Sequence, residues 1–256
     1  MTMRDPLSFK DKVVIVTGGA RGIGRAISEA FAAHGAAVAL AGRNTQVLEE
    51  VARSISAAGG TAKAFATDVT KEESIAALCS GVLGAYGRID VLINNAGINP
   101  WYKNAEDTSL SEWQQIIDTN LTGVFLACKH AGRAMLAAGQ GAIVNISSIA
   151  GRVGLPRSTA YCAAKGGVEL LTRELAYEWA KKGVRVNAVA PGFVETDLTH
   201  GMSKHPVLGK RIADRTPMGR FAQADEISGA CLFLASPAAS YITGCTIMAD
   251  GGWTAA

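Results

Sequence analysis

Seven short runs of apolar, mostly β-branched residues recur along the chain, and none alternates apolar with polar. They are Val13–Val16, Ala36–Ala41, Ala64–Thr67, Val91–Ile93, Ala142–Ile146, Val184–Val189 and Thr246–Met248. A strand without alternation is covered on both faces, the signature of a parallel sheet. Between the runs lie segments rich in Ala, Leu, Glu and Arg that read as helices, among them Gly24–His34, Gln46–Ala58, Glu72–Tyr86 and Ala163–Lys182. Strand–helix alternation means βαβ units. No Pro- or Ser-rich linker, low-complexity tract or long repeat interrupts it. Residues 1–256 are therefore expected to form one α/β domain, a doubly wound parallel sheet of about seven strands with helices on both faces.

Composition agrees with that fold and excludes several functions. A chain of 256 residues, 48% hydrophobic and with 29 glycines, can bury a full core and make many tight turns without staples. The net charge is only +3 and the basic residues form no run, which argues against a nucleic-acid or membrane-surface partner. Cys79, Cys128, Cys162, Cys231 and Cys245 make no CxxC pair, so they read as reduced thiols used as small apolar residues. The first residues, MTMRDPLSFKDK, contain no apolar stretch, and no run approaches the ~20 residues that span a bilayer. A cytoplasmic protein is expected. His34, His130, His200 and His205 form no HExxH or other metal-ligand pattern, and no GxSxG surrounds Ser147 or Ser148. No metal site and no serine-hydrolase elbow are expected.

The first run ends in Thr17-Gly18-Gly19-Ala20-Arg21-Gly22-Ile23-Gly24 and a helix follows at once. Glycine suits this place because the turn needs positive φ and a pyrophosphate must approach bare backbone. The helix N-terminus adds free N–H groups and a positive dipole end. After a first strand and before a helix, the pattern is a Rossmann-type dinucleotide fingerprint. Gly19 and Gly24 also have P-loop spacing, but Arg25 and Ala26 follow where Lys and Ser or Thr are needed. At the end of the second run, where an acidic residue would bind a ribose 2′-hydroxyl, stand Gly42-Arg43-Asn44. A guanidinium can fork onto a phosphate that a carboxylate would repel. Arg43, helped by Arg21, is expected to bind the 2′-phosphate, favouring NADP(H) over NAD(H).

Tyr161 and Lys165 lie four apart at the start of a helix, so both project from one face. An isolated tyrosine, with a pKa near 10, is a poor proton donor or acceptor at neutral pH. A lysine cation beside it, and an oxidised nicotinamide, would favour the phenolate. Tyr161 could then give a proton to a carbonyl oxygen and take one from an alcohol. Asn145-Ile146-Ser147-Ser148 closes the fifth run, Asn94-Asn95-Ala96-Gly97 the fourth and Pro191-Gly192 the sixth, while Asn120 lies within Asp118–Gly123. All sit where a parallel sheet presents ligand-binding loops.

With TGGARGIG, NNAG, PGFVET and the Asn120–Ser148–Tyr161–Lys165 spacing in this order, the chain resembles the short-chain dehydrogenase/reductase family from about Lys10 to Gly252. The resemblance implies Tyr161 as the acid–base and Ser148 as the group that hydrogen-bonds the substrate oxygen. Lys165 is implied to tune Tyr161 and hold the nicotinamide ribose, and Asn120 to hold a water that relays protons. It further implies that Asn95, Ala96 and Gly97 line the adenine-ribose side, that Asp68 and Val69 contact adenine, and that Pro191, Gly192, Val194 and Thr196 face the nicotinamide and pyrophosphate. Ser147 faces the other side of its strand and is set aside. A homotetramer is implied, with the long helices and the tail Thr246–Ala256 at interfaces.

The substrate is less defined. Ile98, Asn99, Trp101, Tyr102, Val153, Leu155 and Pro156 are candidate walls, and the irregular stretch Phe193–Met218 is placed like a lid. The pattern resembles 3-oxoacyl thioester reductases. However, Ala137-Ala138-Gly139-Gln140 and Tyr177 stand where carrier-protein users have basic residues. Arg215–Arg220 and the lid resemble sugar-acid and polyol dehydrogenases, and both readings stay open. A non-catalytic cofactor sensor is the reading of another class. Such proteins usually lose Tyr or Lys of the catalytic set, and all four residues stand here.

Overall fold

The computed structural model describes residues 7–255; the first six residues and Ala256 of the expected tail lie outside the described part. One seven-stranded, wholly parallel sheet organises the chain. In chain order its strands are β1 Val13–Thr17, β2 Ala37–Gly42, β3 Thr61–Ala66, β4 Val91–Asn94, β5 Gly141–Ile146, β6 Val184–Pro191 and β7 Thr246–Ala249. Their order across the sheet is β3-β2-β1-β4-β5-β6-β7. The chain builds outward from β1 in one direction, then restarts beside β1 with β4 and builds the other way. Val14 pairs with Val91 and Val16 with Ile93 across that seam, the topological switch point where doubly wound sheets bind ligands. The single-domain Rossmann-type expectation holds.

The helices are α1 Gly22–Ala33, α2 Thr45–Ala57, α3 Glu72–Tyr86, α4 Leu110–Ile117, α5 Gly123–Ala138, α6 Thr159–Trp179, α7 His200–Ser203, α8 Pro206–Arg215 and α9 Ser228–Ala235. Several have readable ends. The Asn44 side chain caps α2, and Ser109 and Glu112 form a capping box on α4. The side chains of β1 divide between two cores. Val14 and Val16 pack with Ile27, Phe31 and Leu234 under α1 and α9. Val13 and Ile15 pack with Ile75, Val124 and Trp179 under α3, α5 and α6. Both faces are thus covered, which is why the runs do not alternate.

The rule fails at the edges. β3 begins at Thr61 rather than Ala64 and exposes Thr61, Lys63 and Ala66, and β7 is only half-buried along its length. Each has a strand neighbour on one side only. The lid is also more regular than expected, because it holds α7 and α8. Pro206 starts α8, and His205 Nδ1 accepts from Leu208 N at 3.2 Å as its cap.

A buried polar chain ties the sheet to α6. Asn94 Nδ2 donates to Asn145 Oδ1 at 2.9 Å, and Asn145 Nδ2 donates to Thr172 Oγ1 at 2.9 Å. Satisfied networks of this kind fix one packing over its near relatives. Here the network fixes the helix that carries Tyr161 and Lys165 against β4 and β5.

Candidate active site

The glycine loop is built around a threonine and an asparagine. Thr17 Oγ1, at the end of β1, accepts from Asn95 N at 3.0 Å and Ala96 N at 3.1 Å. Asn95 Nδ2 returns bonds to Thr17 O and Gly18 O at 3.0 and 3.2 Å. Gly18 has φ +64°, and a Cβ on Gly24 would lie 2.2 Å from Gly18 O. Side chains are therefore shut out, and the loop turns into α1 with its backbone bare. Arg21, the N-cap of α1, makes no capping bond, and no acidic residue occupies the first turn. Free N–H groups at that end suit an anion.

This end opens into a cleft of about 1030 Å³. Gly18, Arg21, Gly22, Ile23, Arg43, Asp68, Val69, Asn95, Ala96, Gly97, Ser148, Tyr161, Lys165, Pro191, Gly192, Val194 and Thr196 all line it. Gly24 and Asn120 stand behind this surface, as packing. Arg21 and Arg43 are exposed and make no hydrogen bond or ion pair among the described residues. Burial alone would raise the Asp68 carboxyl. Hydrogen bonds from Thr70 and the nearby Arg43 charge outweigh it and hold the group below its ordinary value. A glycine cradle, a free helix N-terminus and two unpaired guanidinium groups in one cleft fit a dinucleotide carrying phosphate charge.

Farther along the cleft, β5 and α6 present the candidate catalytic group. Ser147 turns to α6, where its Oγ donates to Lys165 O at 3.5 Å. Ser148 faces the other way, and its hydroxyl is near enough to Tyr161 to favour the phenolate. Lys165 is buried; its Nζ donates to Ile146 O at 2.7 Å and lies 5.6 Å from the Tyr161 ring centre. The expected lowering of Tyr161 by Lys165 does not occur here. Burial pushes the Tyr161 phenol up to about 12, against the pull of the Ser148 hydroxyl. It also brings the Lys165 ammonium down to about 8. Both shifts have one cause, a pocket that disfavours charge of either sign.

Asn120 is buried behind the cleft wall. The stretch Asp118–Thr122 between α4 and α5 is π-helical, and Gly123 N donates to Asp118 O. This bulge turns Asn120 inward. Its Oδ1 accepts from Ile98 N at 2.8 Å, and its Nδ2 donates to Ile98 O at 2.7 Å. Both ends of the side-chain amide are thus committed to the backbone of Ile98, which fixes the cleft wall.

A family model described as Enoyl-(Acyl carrier protein) reductase matches residues 18–254. A cis-4-hydroxycyclohexanecarboxylate dehydrogenase of Sinomonas cyclohexanicum is 44% identical, over 97% of this chain and 98% of its own. The chain is a short-chain dehydrogenase/reductase. A 3-oxoacyl-(acyl-carrier-protein) reductase of Chlamydia muridarum is 42% identical, over 94% of this chain and 97% of its own. Among solved structures, a gluconate 5-dehydrogenase of Burkholderia cenocepacia in complex with NADP and tartrate superposes with a TM-score of 0.95. It is 33% identical and covers 98% of both chains. As a short-chain dehydrogenase/reductase, the protein is an NAD(P)-dependent oxidoreductase that interconverts a carbonyl and an alcohol.

The substrate side of this short-chain dehydrogenase/reductase is part apolar, part polar. Trp101, Trp113 and Tyr161 pack against a small cluster of Ile116, Ala160 and Ala164. Asn99 is buried, its Oδ1 has no partner, and it lies beside Tyr102, which is close enough to Tyr161 for the two phenols to oppose each other's ionisation. Lys103 bridges to Ser158 and holds this loop against the start of α6. Val153 and Leu155 meet Met202 and Ile212 of the lid, and Pro156 remains exposed beside them. Trp253 is buried in its own chain, against Phe193 at 4.8 Å between ring centres and under Arg215 at 4.3 Å, so this part of the expected interface tail packs inward. Sequence reasoning missed Thr17, the partner chain Asn94–Asn145–Thr172, and Glu169. Only Thr17 carried a signal, a hydroxyl just before the glycines. Among the described residues no three His, Cys, Asp or Glu cluster to hold a metal, and no helix is long and apolar enough to cross a membrane.

Proposed function

We propose that the protein is an NADP(H)-preferring oxidoreductase that interconverts a ketone and a secondary alcohol on a small polar substrate. One observation carries this reading: Ser148, Tyr161 and Lys165 line the same cleft as the glycine loop and two unpaired arginines. Gly18, Gly22, Ile23 and the α1 N-terminus would hold the cofactor phosphates, with Gly24 keeping the turn close. Arg43 and Arg21 would hold the 2′-phosphate, with Asp68 and Val69 at adenine and Asn95, Ala96 and Gly97 along the adenosine side. Pro191, Gly192, Val194 and Thr196 would hold the nicotinamide end. When bound, the cofactor supplies or takes up the hydride.

The chain's own groups handle the proton. Ser148 Oγ donates to the substrate oxygen and fixes it. Tyr161 Oη gives its proton to that oxygen during reduction. In oxidation it takes the proton back. Lys165, anchored on Ile146 O, would hold the ribose hydroxyls. Asn120 keeps Ile98 in place at the wall. Residues 193–218 act as the lid.

The polar pair Asn99–Tyr102 beside Tyr161 favours a hydroxylated or carboxylated carbonyl compound. The likeness to the 3-oxoacyl reductase favours a 3-oxoacyl thioester instead, but no basic residue stands in Ala137–Gln140. The test is consumption of NADPH and NADH with acetoacetyl-CoA, 5-oxogluconate, 4-oxocyclohexanecarboxylate and 2,3-butanedione. Faster turnover of the thioester than of every small ketone would replace the first reading by the second. No turnover of any of these four would overturn both substrate readings. Arg43→Ala should lower kcat/KM for NADPH by roughly ten- to a hundredfold, the loss of a charged hydrogen bond, and leave NADH unaffected.

The reading includes a homotetramer, supported by the exposed Phe125 on α5 and by Leu170 and Tyr177 two turns apart on α6. Light scattering on the purified chain checks it. It also includes a cytoplasmic site, supported by the thiols Cys79, Cys128 and Cys231, packed as small apolar residues.

A further inference from the structure

The chain leaves β5 through one tight turn that ends in an ion pair between a half-exposed arginine and a buried glutamate. Ser148 opens the turn: its Oγ accepts from Ala150 N at 3.2 Å, and its carbonyl accepts from Gly151 N at 2.9 Å. Arg152 N then donates to Ile149 O at 2.9 Å. The Arg152 side chain reaches back to α6, where Nε donates to Glu169 Oε2 at 3.0 Å and Nη2 lies 3.0 Å from the same oxygen as an ion pair. The same oxygen accepts from Thr246 Oγ1 of β7 at 2.6 Å. Glu169 is one helical turn beyond Lys165 and only 4% exposed. Gly151 sits so close that a Cβ there would lie 2.9 Å from Lys165 O and 3.0 Å from Glu169 Cγ.

A carboxylate taken out of water is costly unless it is well supplied with donors. Glu169 is unevenly supplied, since its second oxygen, Oε1, is buried with no partner. An uncharged side chain of similar size would fill the space at lower cost. What the charge does is grip Arg152 and so join three elements: the turn that starts with Ser148, the helix that carries Tyr161 and Lys165, and the last strand.

We propose that Glu169, through Arg152, is a positioning residue that sets the Ser148 hydroxyl against Tyr161. The two hydroxyls stand on separate elements, and their spacing is only as firm as the connection between those elements. Below Ser148 that connection is the strand itself. Above it, the connection is the Glu169–Arg152 grip together with the packing of Gly151 against Lys165. Loosening the grip frees the turn to pivot about Ser147, and displacements of ~1 Å in an oriented group can cost up to about a hundredfold in rate.

The test uses the full-length chain, NADPH and the most rapidly reduced ketone of the panel. Glu169→Gln and Arg152→Met should each lower kcat about tenfold with the KM for NADPH unchanged. In a Ser148→Ala background the same substitutions should cost nothing further, because the group they position is gone. Hydrogen exchange at the amides of Ala150–Val153 should speed up in Arg152→Met. Equal losses with and without Ser148, an unchanged kcat in Arg152→Met, or unchanged exchange would each overturn the proposal. If Glu169→Gln does not fold, Arg152→Met, at the half-exposed end of the pair, decides the matter. If no ketone on the panel is reduced, the substrate reading fails, and exchange still tests the grip.

Discussion

Tyr161 and Lys165 are driven in opposite directions on the pH scale by the same burial, and this has measurable consequences. Lys165 has a folded pKa of about 8 against an ordinary 10.5, so the folded state binds its proton less tightly than the unfolded chain does. That penalty is fully present below pH 8 and disappears as the pH rises toward 10.5. Removing the ammonium in Lys165→Met should therefore raise stability relative to wild type more at pH 7 than at pH 10, by on the order of 3 kcal/mol over the whole span. Urea unfolding at both pH values checks it. Tyr161→Phe should lower kcat by roughly 10²–10⁴-fold while NADPH binding, followed by fluorescence, is retained. The identity of both residues was legible in the sequence, because a spacing of four on one helix is local information. The direction of the Tyr161 shift was not. It depends on how much of the fold closes over the hydroxyl, and no spacing encodes that.

Elements were legible to the degree that their burial was symmetrical. β1, β4, β5 and β6 lie inside the sheet and appeared as apolar runs close to their true bounds. β3 at the edge was read short, because Thr61 and Lys63 face solvent and break the run. The lid was read as irregular, since α8 announces itself only through Pro206 and an unusual histidine cap. The π-helical turn between α4 and α5 left no trace, because one extra residue in a helix changes no composition. Its product is specific, however, since it delivers Asn120 to the Ile98 peptide. Asn120→Ala leaves that N–H and C=O without partners and should cost about 2 kcal/mol of stability for the two bonds. It should also lower kcat by loosening the cleft wall. Thermal unfolding and steady-state rates on one preparation separate the two effects.

Across the whole molecule, the two ends of the sheet do different work. The carboxyl ends of the strands hold the cleft. At the opposite end, Asp90 before β4 ties the start of β1 in place. Its carboxylate accepts from Val13 N at 3.0 Å, from Arg88 at 2.6 and 2.7 Å, and from Lys12 at 3.1 Å. Burial alone would raise this carboxyl; the donors outweigh it and hold it below 3.8. The stabilisation is therefore present above that value and lost as the pH falls through the lowered folded pKa. Asp90→Asn should cost about 2 kcal/mol at pH 7, less at pH 3, and leave the KM for NADPH unchanged. Acid and neutral denaturation series test this. Strand order was not legible from the runs, which are alike in composition.

The seam between β1 and β4 has one more consequence. Gly87, at the end of α3, is exposed, and a side chain there would meet nothing within 4 Å. A chain cut at Gly87 would leave the glycine loop and Arg43 on one fragment and Ser148, Tyr161 and Lys165 on the other. Each fragment alone would be silent, and turnover would return only with the pairing of β1 and β4. The enzyme could thus be divided into a two-part reporter whose signal is the reunion of its own central strands.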